Sequence, residues 1–139
     1  MLYKNLIIGF LLFFWVAGCS NGKNKTDASE ESEKGIPKIE FERHYYDFGT
    51  IKQGEKVSYT FEFKNTGNGK LIIKDAYAAC GCTVPKYKKE PIEPGEEGFV
   101  EVIFDSSGRR GNQYKSVKIM ANTPLKEKTL TIKAKVIIN

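Results

Sequence analysis

Cys80-Gly81-Cys82 is the one constellation in this sequence with reactive potential. Thiols two residues apart on an extended segment point to one side, so both sulfurs can meet a common partner. A disulfide between them is harder, because extended i,i+2 spacing lies near the upper limit of disulfide Cα separations unless Gly81 bends the chain. The small, strained ring that results is readily reduced, the property of an exchanging rather than a structural disulfide. Metal capture is a second reading: two thiolates ligate a soft ion such as Cu(I), whereas a closed Zn site wants four ligands. A third is bland, with both thiols packed at a strand end or joined in a local structural link. His44 is the only imidazole and Met120 the only thioether after Met1, so a complete Zn site within one chain is not expected. No cofactor beyond Cu(I) at the pair is in question. Lys86, Lys88 and Lys89 follow closely and favour a thiolate.

The remaining candidates are thinner. His44 has no cysteine or serine beside it and sits next to Tyr45 and Tyr46, which suits a surface or packing residue better than a catalyst. Asp47-Phe48-Gly49 has the letters of a kinase metal motif without the glycine loop, lysine strand or catalytic loop that motif requires. A turn with Phe48 in the core is the expectation there. Lys86, Lys88, Lys89, Arg109, Arg110, Lys115 and Lys118 are candidates for one basic face, although charge runs are usually solvated surface. Asp and Glu are scattered over turns and exposed strand positions, so a paired-carboxylate hydrolase is not supported. No catalytic residue is assigned.

The elements that hold these residues have a period of two from Pro37 onward. Val57, Tyr59, Phe61 and Phe63 alternate with Ser58, Thr60, Glu62 and Lys64, the pattern of a strand with one buried face. Val100, Val102 and Phe104 repeat it, as do Leu130, Ile132, Ala134 and Val136. Lys38 to Arg43, Lys70 to Ala76, Tyr114 to Ala121 and a short piece around Thr83 are weaker strands, and no segment carries a sustained helical stripe. Glycines and prolines fall between the runs, where turns need them. About seven strands over about 100 residues predict an all-β, antiparallel sandwich of immunoglobulin type, with a small barrel as the alternative.

Ahead of this domain the chain reads as an address. Lys4 precedes an apolar run from Leu6 to Val16, which holds the only Trp and three of the nine Phe. The run is too short for a comfortable spanning helix, which needs about 20 apolar residues, and suits a secretory signal. It ends in Val16-Ala17-Gly18-Cys19, which resembles a bacterial lipobox: small residues admit the peptidase and Cys19 becomes the acylated N-terminus. Several acyl chains on one cysteine hold a protein to a bilayer, each buried methylene adding about 0.8 kcal/mol. Ser20 after the cysteine implies, by the same resemblance, the outer membrane of a Gram-negative cell; a periplasm-facing position is the expectation, with Ser20 leaving leaflet and face open. Residues 20–36 are polar, charged or glycine with hardly an apolar side chain, and read as a flexible tether of roughly 23 Å root-mean-square span. The organisation expected is a signal peptide at 1–18, lipidated Cys19 and linker at 19–36, and the sandwich at 37–139.

Charge excludes little else. The full chain carries +5, and losing residues 1–18 removes only Lys4. So mild an excess, on an exported protein, argues against a nucleic-acid partner.

Tyr46-Asp47-Phe48-Gly49-Thr50-Ile51, Gly54, Phe61-Glu62-Phe63-Lys64-Asn65-Thr66-Gly67, Leu71-Ile72-Ile73, Cys80-Gly81-Cys82-Thr83, Ile92-Glu93-Pro94-Gly95 and Asn122 occur in one order. The series resembles the bacterial domain of unknown function 1573, found in secreted proteins and lipoproteins of Bacteroidota, over about Ile39 to Val136. That resemblance implies an immunoglobulin-like domain akin to those of Hydin and abnormal-spindle proteins, and no established activity. The expected role is a non-enzymatic, lipid-anchored envelope module that binds or positions a protein or glycan. The alternative is a thiol protein working through Cys80 and Cys82.

Overall fold

The computed structural model describes residues 35–138. The signal segment, Cys19 and the tether up to residue 34 lie outside the described residues. Eight strands follow in order: β1 (Ile39–Phe41), β2 (Tyr45–Lys52), β3 (Lys56–Asn65), β4 (Ile73–Ala78), β5 (Thr83–Tyr87), β6 (Glu97–Asp105), β7 (Gly111–Ala121) and β8 (Glu127–Ile137). They form two four-stranded sheets, ordered β1-β3-β6-β5 and β2-β8-β7-β4. Among the described residues there is no helix.

Alternation decides which face is buried. Phe61 and Phe63 of β3, Val100, Val102 and Phe104 of β6, and Leu130, Ile132, Ala134 and Val136 of β8 point between the sheets and are nearly or wholly inaccessible. Each large side chain so buried contributes about 1.5–3 kcal/mol. Register follows the same faces: Phe61 pairs with Val100 and Tyr59 with Val102 across β3 and β6, and Val117 pairs with Leu130 across β7 and β8. Gly98, expected in a turn, lies inside β6 instead. The Phe63 ring crosses its backbone so closely that a Cβ there would stand 2.4 Å from Phe63 Cζ.

Two features depart from the sequence reading. The added strand is β2, where Asp47-Phe48-Gly49 forms a bulge inside the strand rather than a turn, with the register shifting between Asp47 and Thr50. Gly49 takes φ +71°, and its N–H donates to Asp47 Oδ1 at 2.8 Å. Phe48 packs at the core margin against Tyr46, ring centroids 5.0 Å apart. Furthermore β2 runs parallel to β8, whereas every other strand pair is antiparallel. The chain therefore contributes β1 to one sheet and then crosses to the other, and Tyr46 stacks on Tyr59 of β3 at 3.6 Å to close that side of the sandwich.

Order also begins before Pro37. Ile36 N–H donates to Asn68 Oδ1 at 2.7 Å, and Asn68 N–H donates to Ile36 O at 3.1 Å. The last residues assigned to the tether are thus tied to the turn after β3.

At the opposite end, Asp105 closes the turn between β6 and β7. The Ser107 hydroxyl, the Ser107 N–H and the Lys56 ammonium hold its carboxyl down at about 2. Because the folded value lies below the unfolded one of about 3.9, the stabilisation is present above pH 4 and is lost as pH falls toward 2. Asp105→Asn should therefore lower the urea midpoint at pH 7 and flatten its fall between about pH 4 and 2. An unchanged acid limb in that variant would exclude this role.

Candidate functional site

Cys80 and Cys82 occupy the corner where the chain leaves β4 in one sheet and enters β5 in the other. The segment is not extended. Thr83 N–H donates to Cys80 O at 3.3 Å, closing a tight turn, and Asp105 N–H donates to Cys82 O at 2.9 Å, fixing the turn to the end of β6. Folding back brings both sulfurs to one side chain: the Cys80 thiol donates to Thr83 Oγ1 at 3.7 Å, and Cys82 Sγ lies 3.9 Å from the same oxygen. Both cysteines are free. Cys82 and Thr83 are buried, Cys80 is half-buried and Gly81 is exposed.

Burial pushes the Cys80 thiol up, but hydrogen bonds from the Cys82 side chain, the Thr83 hydroxyl and the Cys82 N–H, with the Lys115 charge, bring it below its ordinary value. The cation that reaches the pair is thus Lys115 of β7 rather than Lys86, Lys88 or Lys89. Lys86 instead leans toward Glu101 on the neighbouring strand at 3.8 Å. Nor do the basic residues form one face. Lys118 pairs with Glu127 at 2.9 Å on the outer surface of the second sheet, while Lys115 shares strand parity with the buried Val117 and Ile119.

Two sulfurs are all this corner offers a metal. Among the described residues no group of three or more His, Cys, Asp or Glu could hold an ion. A donor set of two thiolates suits two-coordinate Cu(I) and does not suit Zn. His44 lies far from the pair in the topology, exposed between β1 and β2, with its ring edge on Phe41 at 5.6 Å.

At the other end of the sandwich, where the chain enters the domain, a groove of about 540 Å³ is lined by Ile36, Pro37, Thr123, Pro124, Leu125 and Lys128, among others. Ile36 and Leu125 are both more than half exposed there. Nothing in the sequence reading pointed to it. Its signal was the apolar Ile36-Pro37 and Pro124-Leu125 pairs lying outside any strand pattern.

Two face-packed four-stranded sheets, with β1 in one and β2 in the other, define an immunoglobulin-like β-sandwich. The chain belongs to the family described as "Protein of unknown function (DUF1573)", which matches residues 39–136. Among solved structures it is similar to a protein of unknown function from Porphyromonas gingivalis W83, with 20% identity and TM-score 0.61 over 73% of this chain and 46% of that one. It is also similar to PapD-like domain 7 of human CEP192, with 16% identity and TM-score 0.57 over 73% of this chain and 87% of that one. The secreted serine protease VesC from Vibrio cholerae matches at 12% identity and TM-score 0.52, over 80% of this chain and 25% of that protein. The chain thus spans less than half the length of the Porphyromonas protein and a quarter of VesC. At these identities the likeness is one of fold. Among curated proteins none matches.

Proposed function

We propose that this protein is a lipid-anchored, non-enzymatic immunoglobulin-like module of the bacterial cell envelope, held by acylated Cys19 in the outer membrane, facing the periplasm, and binding or positioning another envelope protein or a glycan. The observation that carries the reading is Val16-Ala17-Gly18-Cys19 at the end of a short apolar run, ahead of a sandwich that begins only at about Ile36. The polar stretch between them has the composition of a spacer. A two-sheet frame stabilised by its own core presents loops and sheet faces without needing a catalytic group, which suits such a role. Metabolic labelling with a fatty-acid analogue tests the anchor: the wild type should be labelled and sediment with membranes, and Cys19→Ala should lose the label and accumulate unprocessed. Normal labelling of Cys19→Ala would overturn it.

A further inference from the structure

We propose that Cys80 and Cys82 form a thiol–disulfide exchange site, in which Cys80 attacks a solvent-exposed disulfide of a partner protein and Cys82 resolves the mixed disulfide. This goes beyond the anchored-module reading and stands whether or not Cys19 is acylated.

Three observations carry it. The first is asymmetry: Cys80 is half-buried, while Cys82, two residues away, is covered at 9% exposure. An exchange pair needs one sulfur that meets the partner and one that meets only the first sulfur. The second is convergence: the turn points both sulfurs at Thr83 Oγ1, at 3.7 and 3.9 Å, and the Cys82 side chain lies within hydrogen-bond reach of Cys80. Folding into a turn also removes the objection raised by extended spacing, since it shortens the Cα separation below that of a strand. The third is access. A Cβ at Gly81 would meet nothing within 4 Å, so the space over the turn is open to an incoming chain. The turn also lies at the end of the sandwich opposite the entry of the chain at Ile36, because β4 runs from its pairing with Ala121 toward Val117, away from the Thr123–Leu125 end.

The step balances without a cofactor. Cys80, as thiolate, attacks one sulfur of the partner's disulfide; that S–S bond breaks, and the departing partner sulfur leaves as a thiolate and takes a proton from water. Cys82 then releases its proton and attacks Cys80 Sγ. The bond from Cys80 to the partner breaks, the partner leaves with both thiols, and Cys80 and Cys82 are joined. The partner gains two electrons and two protons, and the pair loses them. A dithiol reductant restores the pair by the reverse exchange.

The test uses the reduced full chain carrying Cys19→Ser, so that Cys80 and Cys82 are the only thiols, with one equivalent of the aromatic disulfide 5,5′-dithiobis(2-nitrobenzoate). The expected wild-type result is release of about two thionitrobenzoate ions per chain, with mass spectrometry finding the protein free of adduct and lighter by two hydrogens. Cys82→Ser and Cys82→Ala should each release about one ion and keep the adduct, and Cys80→Ser should react at least about tenfold more slowly. Two replacements at Cys82 guard against a packing defect, and matching urea midpoints confirm folding. A wild-type chain that keeps its adduct, or a Cys80→Ser chain that reacts as fast as Cys82→Ser, would overturn the proposal. So would native thiols that refuse the reagent yet hold one Cu(I) per chain, which would assign the pair to metal capture.

Discussion

Phe61→Ala should lower the stability of the domain by about 3 to 5 kcal/mol, read from urea unfolding. Phe61 is 0% exposed, faces Val100 across the strand pair and meets the Tyr59 ring edge-on at 4.9 Å. Its ring therefore sits where β3 and β6 are stapled to the opposite sheet, and removing it leaves a cavity that two rigid sheets cannot close. Domains of this size have roughly 5 to 15 kcal/mol in hand, so the loss is a large share of the whole. Thr60→Ala, one residue away on the outer face, should stay within about 0.5 kcal/mol. Equal losses from the two variants would mean that β3 presents the other face, and a one-residue slip inverts every side chain of the strand.

The strands that the sequence reveals are those with unbroken alternation. β3, β6 and β8 each bury every second residue along their central stretch, and their parity needs no knowledge of neighbours. β2 was illegible for a physical reason. Tyr46 and Phe48 face inward, but so does Ile51, three residues on, because the bulge at Asp47 to Thr50 inserts a residue and reverses the parity. A period-two reading breaks at that point and takes the glycine for a turn. The parallel pairing with β8 is likewise invisible, since strand direction depends on the crossover between sheets and not on any local pattern.

The cysteine pair was legible as a pair, and its local shape was not. The sequence names both cysteines, yet whether they lie on a strand or in a turn is decided by Thr83 N–H and Asp105 N–H, partners supplied by the fold. Lys115 could have been found. Along β7 it stands two residues before Val117 and four before Ile119, so simple parity puts it on the inner side, and counting it with the surface lysines overlooked that. Charge is judged by where its strand position points, not by the company it keeps in sequence.

Asn65→Asp should cost as much as the loss of a core ring, about 3 to 5 kcal/mol at pH 7, although it replaces one atom. Asn65 is 0% exposed. Its amide nitrogen donates to Gly69 O at 2.8 Å and to Ile92 O at 2.9 Å, while its amide oxygen accepts from Gly67 N–H at 3.1 Å and Lys38 N–H at 3.3 Å. One side chain thus ties together the entry of the chain, the turn after β3 and the short bridge between Leu71 and Ile92. A carboxylate keeps the two accepting bonds but turns an oxygen toward two carbonyl oxygens, taking the side-chain donor from both and burying a charge beside them, although Ile92 O keeps its bond from Leu71 N–H. Burial and repulsion must then raise the folded pKa of Asp above its unfolded value of about 3.9. The sign follows: the penalty is full above the folded pKa and shrinks as pH falls through it, because the protonated acid regains one donor. Asn65→Ala, which carries no charge, should be destabilised by about 3 kcal/mol at either pH. Urea midpoints of the two variants at pH 7 and pH 4.5, each taken against wild type, separate the cases. A gap for Asn65→Asp that does not narrow in acid would show that no donor of Asn65 faces those carbonyls.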